Sequence, residues 1–178
     1  MNNFAKLCPL LELSGSMTCY YSIHFEEKET DETMDFFLRH EAQSALQEEI
    51  EEILAWIDAI ANETGALEDL FRAERKAEAL PPENPVRNKK RRRFHIQYQE
   101  RNRLRLYLIR LNECVVVLLN GGLKTTRDPE QCPNVRRYFR QAQHIADALD
   151  EALDNGDIRY NADKTDIIIQ HDFEIQVP

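Results

Sequence analysis

The stretch LRLYLIRLNECVVVLLNGGLKTT, residues 104 to 126, constrains the fold more than any other part of the chain. Leu104, Leu106 and Leu108 alternate with Arg103, Arg105, Tyr107 and Ile109. That two-residue period sends successive side chains to opposite faces of a strand. Asn112-Glu113 supplies a short turn, and Cys114 to Leu119 is an unbroken apolar run, the pattern of a central strand covered on both faces. Gly121-Gly122 then permits another backbone to approach closely, and Lys124 projects beyond it.

The flanking segments complete an α+β pattern. Tyr21, Ile23 and Phe25 alternate with polar neighbours and predict a strand over 19–27. Leu46, Ile50, Ile53, Leu54, Ile57 and Ile60 recur at three- and four-residue steps. They predict an amphipathic helix over 41–62, ended by Gly65 and with Trp56 flanking its stripe. Leu67, Leu70 and Phe71 start a further helical pattern that closes on Pro81-Pro82. Phe94, Ile96 and Tyr98 predict another strand. Val135, Phe139, Ala142, Ala146, Leu149 and Leu153 form the stripe of a C-terminal helix capped by Asn134 and closed at Asn155-Gly156. Residues 167–169 and 173–177, split at His171-Asp172, read as a hairpin. The expected sheet is antiparallel, with strands 19–27, 94–98, 103–111 and 114–120 packed on the helix of 41–62.

At 178 residues the chain suits one domain with its own core. Cys8, Cys19, Cys114 and Cys132 are widely spaced without a CxxC pair, which points to reduced thiols in a cytoplasmic protein. No stretch approaches the ~20 apolar residues of a membrane span, so no membrane partner is expected. Residues 1–16 make a poor secretory signal, since Glu12 interrupts their apolar core. They are expected to be a dispensable extension ahead of a single domain over 17–178.

Charge is sorted along the chain although the net is -9. Residues 26–69 carry -13, residues 71–110 carry +9 and residues 141–178 carry -7. A local basic patch is what a phosphate backbone feels within ~10 Å of screening. Arg91, Arg92 and Arg93 lie in a basic loop that reads as a solvated charge run or a contact for RNA. Arg103, Arg105 and Tyr107 share a strand face, where guanidinium groups can grip phosphate and a phenol ring can stack on a base. The same alternation also describes a plain solvated face. His144, beside Arg137, Arg140 and Gln141 on the polar side of the C-terminal helix, is a candidate general acid or base, or else a surface histidine. Gly121 to Thr126 lacks Walker spacing. The five histidines show no metal-ligand spacing, so neither metal nor cofactor is expected.

A strand, a long helical region and a meander with Arg105-Leu106-Tyr107 followed by Val115-Val116-Val117-Leu118 resemble the RelE/HigB/ParE superfamily, the toxins of bacterial type II toxin–antitoxin modules. The resemblance spans residues 17–126 and rests mainly on the hairpin. It implies a RelE-like fold with an extension from about residue 127, a cognate antitoxin as partner, and mRNA on the ribosome as substrate. It also implies metal-independent RNA cleavage, with basic residues stabilising the scissile phosphate while the 2′-hydroxyl attacks. Arg105 and Lys124 match the positions of the family's basic residues. Tyr107 and His144 are candidates to complete the catalytic set, with Arg91, Arg92, Arg93, Arg103, Arg137 and Arg140 binding RNA. Family toxins are usually small and basic, and this chain is acidic. A non-enzymatic protein- or nucleic-acid-binding module on the same scaffold is the alternative.

Overall fold

A computed structural model describes residues 3–83, 96 and 101–178. The chain runs β1 (Asn3–Pro9), β2 (Cys19–Phe25), α1 (Glu32–Glu41), α2 (Gln47–Ala59), β3 (Arg72–Glu74), β4 (Ala77–Leu80), β5 (Leu104–Arg110), β6 (Val115–Leu123), α3 (Arg136–Asn155), β7 (Ile158–Tyr160), β8 (Ile167–Ile169) and β9 (Ile175–Val177). Seven strands form one mixed sheet in the order β3-β4-β5-β6-β2-β1-β9, and β7 and β8 pair separately.

The leucine face of β5 packs as the alternation requires. Leu104, Leu106 and Leu108 join Val116 and Leu118 of β6 against Phe36, Ile50, Ile53, Trp56 and Ile57 of α1 and α2. The opposite face is also covered. Tyr107, Ile109, Val115, Val117 and Leu119 pack with Phe139, Ala142, Ile145 and Leu149 of α3. The α3 stripe therefore finds its apolar surface on the sheet, each large side chain contributing roughly 1.5–3 kcal/mol by burial.

Local chemistry sets the helix ends. Asp31 caps α1, its carboxylate accepting from the Met34 N–H at 2.9 Å. Glu32 and Asp35 in the first turn and Arg39 in the last complement the helix dipole. Gly156 closes α3 in the left-handed conformation at φ 81°. The expected Asn134 cap is not made: Val135 occupies the N-cap position, and the Asn134 amide donates to the Leu123 carbonyl at 3.1 Å.

Several expectations are corrected. The sheet is mixed, because β2 runs parallel to β6, pairing Cys19, Tyr20 and Tyr21 with Val115, Val116 and Val117. Alternation reports which face a side chain takes, not which way the neighbouring strand runs. The helix expected over 41–62 begins later and is preceded by α1, the two being separated where Gln43 turns extended. The helix expected after Leu67 is only a short 3-10 turn, Glu68–Leu70, and the chain then turns back as the β3–β4 pair. The tail is not a hairpin: β8 pairs with β7, and β9 pairs with β1. Residues 3–9, read as lying outside the fold, form a strand between β2 and β9 with Ala5 fully buried. The strand expected over 94–98 falls outside the described residues apart from Ile96, which packs partly buried beside Leu104 and its neighbours.

Candidate nucleic-acid interface

The end of the β5–β6 ladder gathers the basic side chains. Leu104 pairs with Leu123, and one step further the Lys124 N–H donates to the Arg103 carbonyl at 2.9 Å. Arg103 and Lys124 thus oppose each other, on the face away from the leucines. Arg103 is exposed and Lys124 half-buried. Neither side-chain cation has a hydrogen bond or ion pair among the described residues, although the Arg103 backbone N–H donates to Glu49 at 3.1 Å.

Arg105 lies deeper. It is 9% exposed, and its Nη1 donates to the carbonyls of Asn102 and Leu104, each at 2.7 Å. Its Nε is buried without a partner. Burial, with Arg72 nearby, lowers its pKa to about 10, so it stays charged at neutral pH. Glu74 is buried close to Arg105, Lys124 and Arg72; burial raises its carboxyl pKa although those three cations oppose the shift. Burial likewise lowers the Lys124 pKa, against the pull of Glu74. Arg72, Arg105 and Lys124 gather around Glu74, and two further carboxylates, Glu83 near Glu74 and Glu49 near Arg105, offset part of that charge. Arg72 itself is engaged, donating to the carbonyls of Pro81 and Pro82 at 3.2 Å.

Tyr107 does not join an open surface. Its ring is fully buried edge-on to Phe139, with centroids 5.9 Å apart, and its hydroxyl has no partner. It cannot stack on a base or reach a substrate, because α3 covers the face that alternation alone left free. His144 is exposed on α3 and has no hydrogen bond or ion pair among the described residues. Nothing ties it to Arg105 or Lys124. Arg140 is drawn aside by Glu130 at 2.9 Å. Arg91, Arg92 and Arg93 lie outside the described residues.

Two residues missed in the sequence stand beside this corner. The Tyr138 ring lies between two guanidinium groups, Arg39 at 5.0 Å and Arg137 at 5.2 Å from its centroid. They edge a cavity of about 390 Å³ that also reaches Gly122, Leu123 and Asn134. Arg39 is fixed there by Asp35 at 2.9 Å and by the Gly121 carbonyl at 3.0 Å, whereas Arg137 is free of carboxylate partners among the described residues. Arg39 is far from β6 in sequence, and no local spacing signals the approach.

A mixed α+β fold with a basic corner where β6 meets α3 is what these residues define. No family model, curated protein or solved structure matches the chain. Among the described residues no helix is long and apolar enough to cross a membrane, and no group of three or more His, Cys, Asp or Glu side chains is placed to hold a metal ion.

Proposed function

We propose that this protein is a RelE/HigB-like toxin of a type II toxin–antitoxin module that cleaves mRNA on the ribosome without a metal. The observation that carries the reading is the opposition of Arg103 and Lys124 across the end of β5–β6, with Arg105 beneath them. Two cations at one point, neither with a side-chain hydrogen bond or ion pair among the described residues, suit a phosphodiester, and the cavity beside Arg137 offers a berth for a neighbouring nucleotide. In the reaction the 2′-hydroxyl gives up its proton to water as its oxygen attacks phosphorus, the bond to the 5′-oxygen breaks, and water protonates that leaving oxygen. A cyclic phosphate and a 5′-hydroxyl end result. Lys124 and Arg103 stabilise the charge that builds on the phosphoryl oxygens. Tyr107 has no direct part in this scheme, and His144 is left as a surface residue.

One observation favours the alternative, a module that binds RNA or protein without cutting. Arg105 is 9% exposed, and its Nη1 is committed to two carbonyls, so little of its guanidinium surface is presented to a substrate. Induced expression in a bacterial host, with transcript ends mapped, separates the two readings. A toxin arrests growth and leaves cut transcripts, and Arg103→Ala with Lys124→Ala relieves both. Unchanged growth with intact transcripts would rule out the nuclease. RNA binding that is lost in the same double variant would then establish the binding module.

A further inference from the structure

On the other side of the molecule, the turn after β1 and the first helix leave an apolar groove open. Leu10, Leu11 and Leu13 form one wall, and Met34, Phe37 and Leu54 form the other, around a cavity of about 470 Å³. Leu11 is 78% exposed and Met34 45%. The wall is held in place. The Leu13 and Ser14 N–H groups donate to the Leu10 carbonyl at 3.2 and 3.1 Å, the Ser14 hydroxyl donates to the same carbonyl at 2.8 Å, and the Tyr20 N–H donates to the Ser14 oxygen at 2.8 Å. A turn tied this firmly displays Leu11 to solvent as a fixed feature, and fixed apolar grooves of this kind mark interaction sites. Glu12, Asp31 and Glu41 border the groove, and the surrounding segment 26–69 carries a net charge of -13.

From this geometry we propose that the groove docks a basic amphipathic helix of a partner protein, its apolar side chains between Leu11 and Met34 and its lysines or arginines against Glu12, Asp31 and Glu41. An amphipathic helix presents apolar side chains at three- and four-residue steps, the kind of face that apolar grooves take up. The acidic border selects a basic partner and disfavours a second copy of this chain, which would bring like charge to like. The site lies on the α1–α2 side of the sheet, whereas Arg103 and Lys124 lie on the α3 side, so the proposal does not depend on RNA cleavage.

The test uses the full chain and a fluorescent peptide of about 18 residues with leucines on one helical face and lysines on the other. A scrambled peptide of the same composition is the control. The designed peptide is expected to bind saturably and the scrambled one at least about tenfold more weakly. Leu11→Asp with Met34→Asp, both at exposed positions, lowers affinity at least about tenfold while circular dichroism stays unchanged. Glu12→Lys with Glu41→Lys weakens binding and removes most of its salt dependence. If the double aspartate variant loses structure, Leu11→Ser replaces it. Equal binding of both peptides, or binding indifferent to the groove variants, overturns the proposal. So does concentration-dependent dimerisation of the chain that the Leu11 and Met34 variants abolish, which would assign the groove to a second copy.

Discussion

Gly121 lies so close beneath Arg105 that a Cβ built on it would stand 1.7 Å from the Arg105 carbonyl oxygen. The contact falls where the β5–β6 register shifts, between Leu106 and Leu108. The oxygen belongs to a strand held on both sides and has no room to retreat. Gly121→Ala is therefore expected to cost at least about 3 kcal/mol. Gly122→Ala meets the Asn134 carbonyl at 2.7 Å, in the connection leading into α3, which can shift at lower cost. Chemical denaturation of the two variants checks the order, and a Gly121→Ala protein as stable as the parent would contradict the close approach.

Tyr107 and Tyr20 are buried on opposite faces of the sheet and differ in one atom's surroundings. The Tyr107 hydroxyl has no partner, whereas the Tyr20 hydroxyl donates to the Ile57 carbonyl at 2.8 Å. Removing an unsatisfied buried hydroxyl relieves a desolvation penalty, and removing a satisfied one loses a hydrogen bond, although the Ile57 carbonyl keeps the Ile60 N–H. Tyr107→Phe is expected to stabilise the fold by about 1 kcal/mol and Tyr20→Phe to destabilise it by a similar amount. Thermal melts of the two variants should move in opposite directions.

The parts of this fold that carry their own periodicity were legible in the sequence. The strands around Leu106 and Val117, the stripe from Phe139 to Leu149 and the stop at Gly156 all sit where spacing placed them. What spacing could not supply was partnership. The parallel run of β2 beside β6 and the joining of β1 to β9 from opposite ends of the chain are non-local. The β3–β4 pair is too short and alanine-rich to announce itself. At the candidate site, the opposition of Arg103 and Lys124 follows from a hairpin readable in sequence. The burial of Tyr107 does not, although one physical clue was present. An α3 stripe running from Val135 to Leu153 needs an apolar surface, and the Tyr107–Ile109 face of the sheet was the one left without a partner.

Stability should depend on pH through two groups acting in opposite directions, the half-buried Glu78 and the buried His40. Burial raises the Glu78 carboxyl to about 6, and its Oε2 has no partner. The folded state then holds a proton that the unfolded chain has already released. Glu78 therefore costs stability as pH rises from about 4.5 to about 6 and above. Glu78→Gln should raise stability by about 1 kcal/mol at pH 8 and leave it unchanged at pH 4. His40 works the other way. It is 4% exposed, its Nδ1 hydrogen-bonded to the Phe36 carbonyl at 2.7 Å, which fixes Nδ1 as the donor. Burial lowers its pKa, so the folded state resists protonation and loses stability as pH falls below the usual 6.5. Denaturation midpoints across pH 4 to 8, for the parent and for Glu78→Gln and His40→Gln, separate the two contributions. A flat difference between Glu78→Gln and the parent would show that this carboxyl titrates normally.

The two chain ends close the sheet together, which sets the outcome of truncation. β9 pairs with β1 through Asn3–Val177, Phe4–Gln176 and Ala5–Ile175, and Ile175 and Val177 lie in the core beneath α3. Their side chains are 1% and 5% exposed. Removing residues 170–178 strips both from the core and leaves β1 as an open edge, at a cost of roughly 3–6 kcal/mol from apolar burial alone. That is a large share of the ~5–15 kcal/mol that holds a domain of this size folded. Removing residues 1–9 exposes β2 and β9 instead and takes Ala5 from the core. Both truncations are expected to lower the melting temperature sharply, and removing both ends should cost less than the sum, because each deletion already breaks the same β1–β9 pairing. If the acidic tail acted only by masking Arg105 and Lys124, its loss would raise RNA affinity with the melting temperature intact. The burial of Ile175 argues for unfolding, and a melt recorded beside an RNA titration at two salt concentrations decides between them.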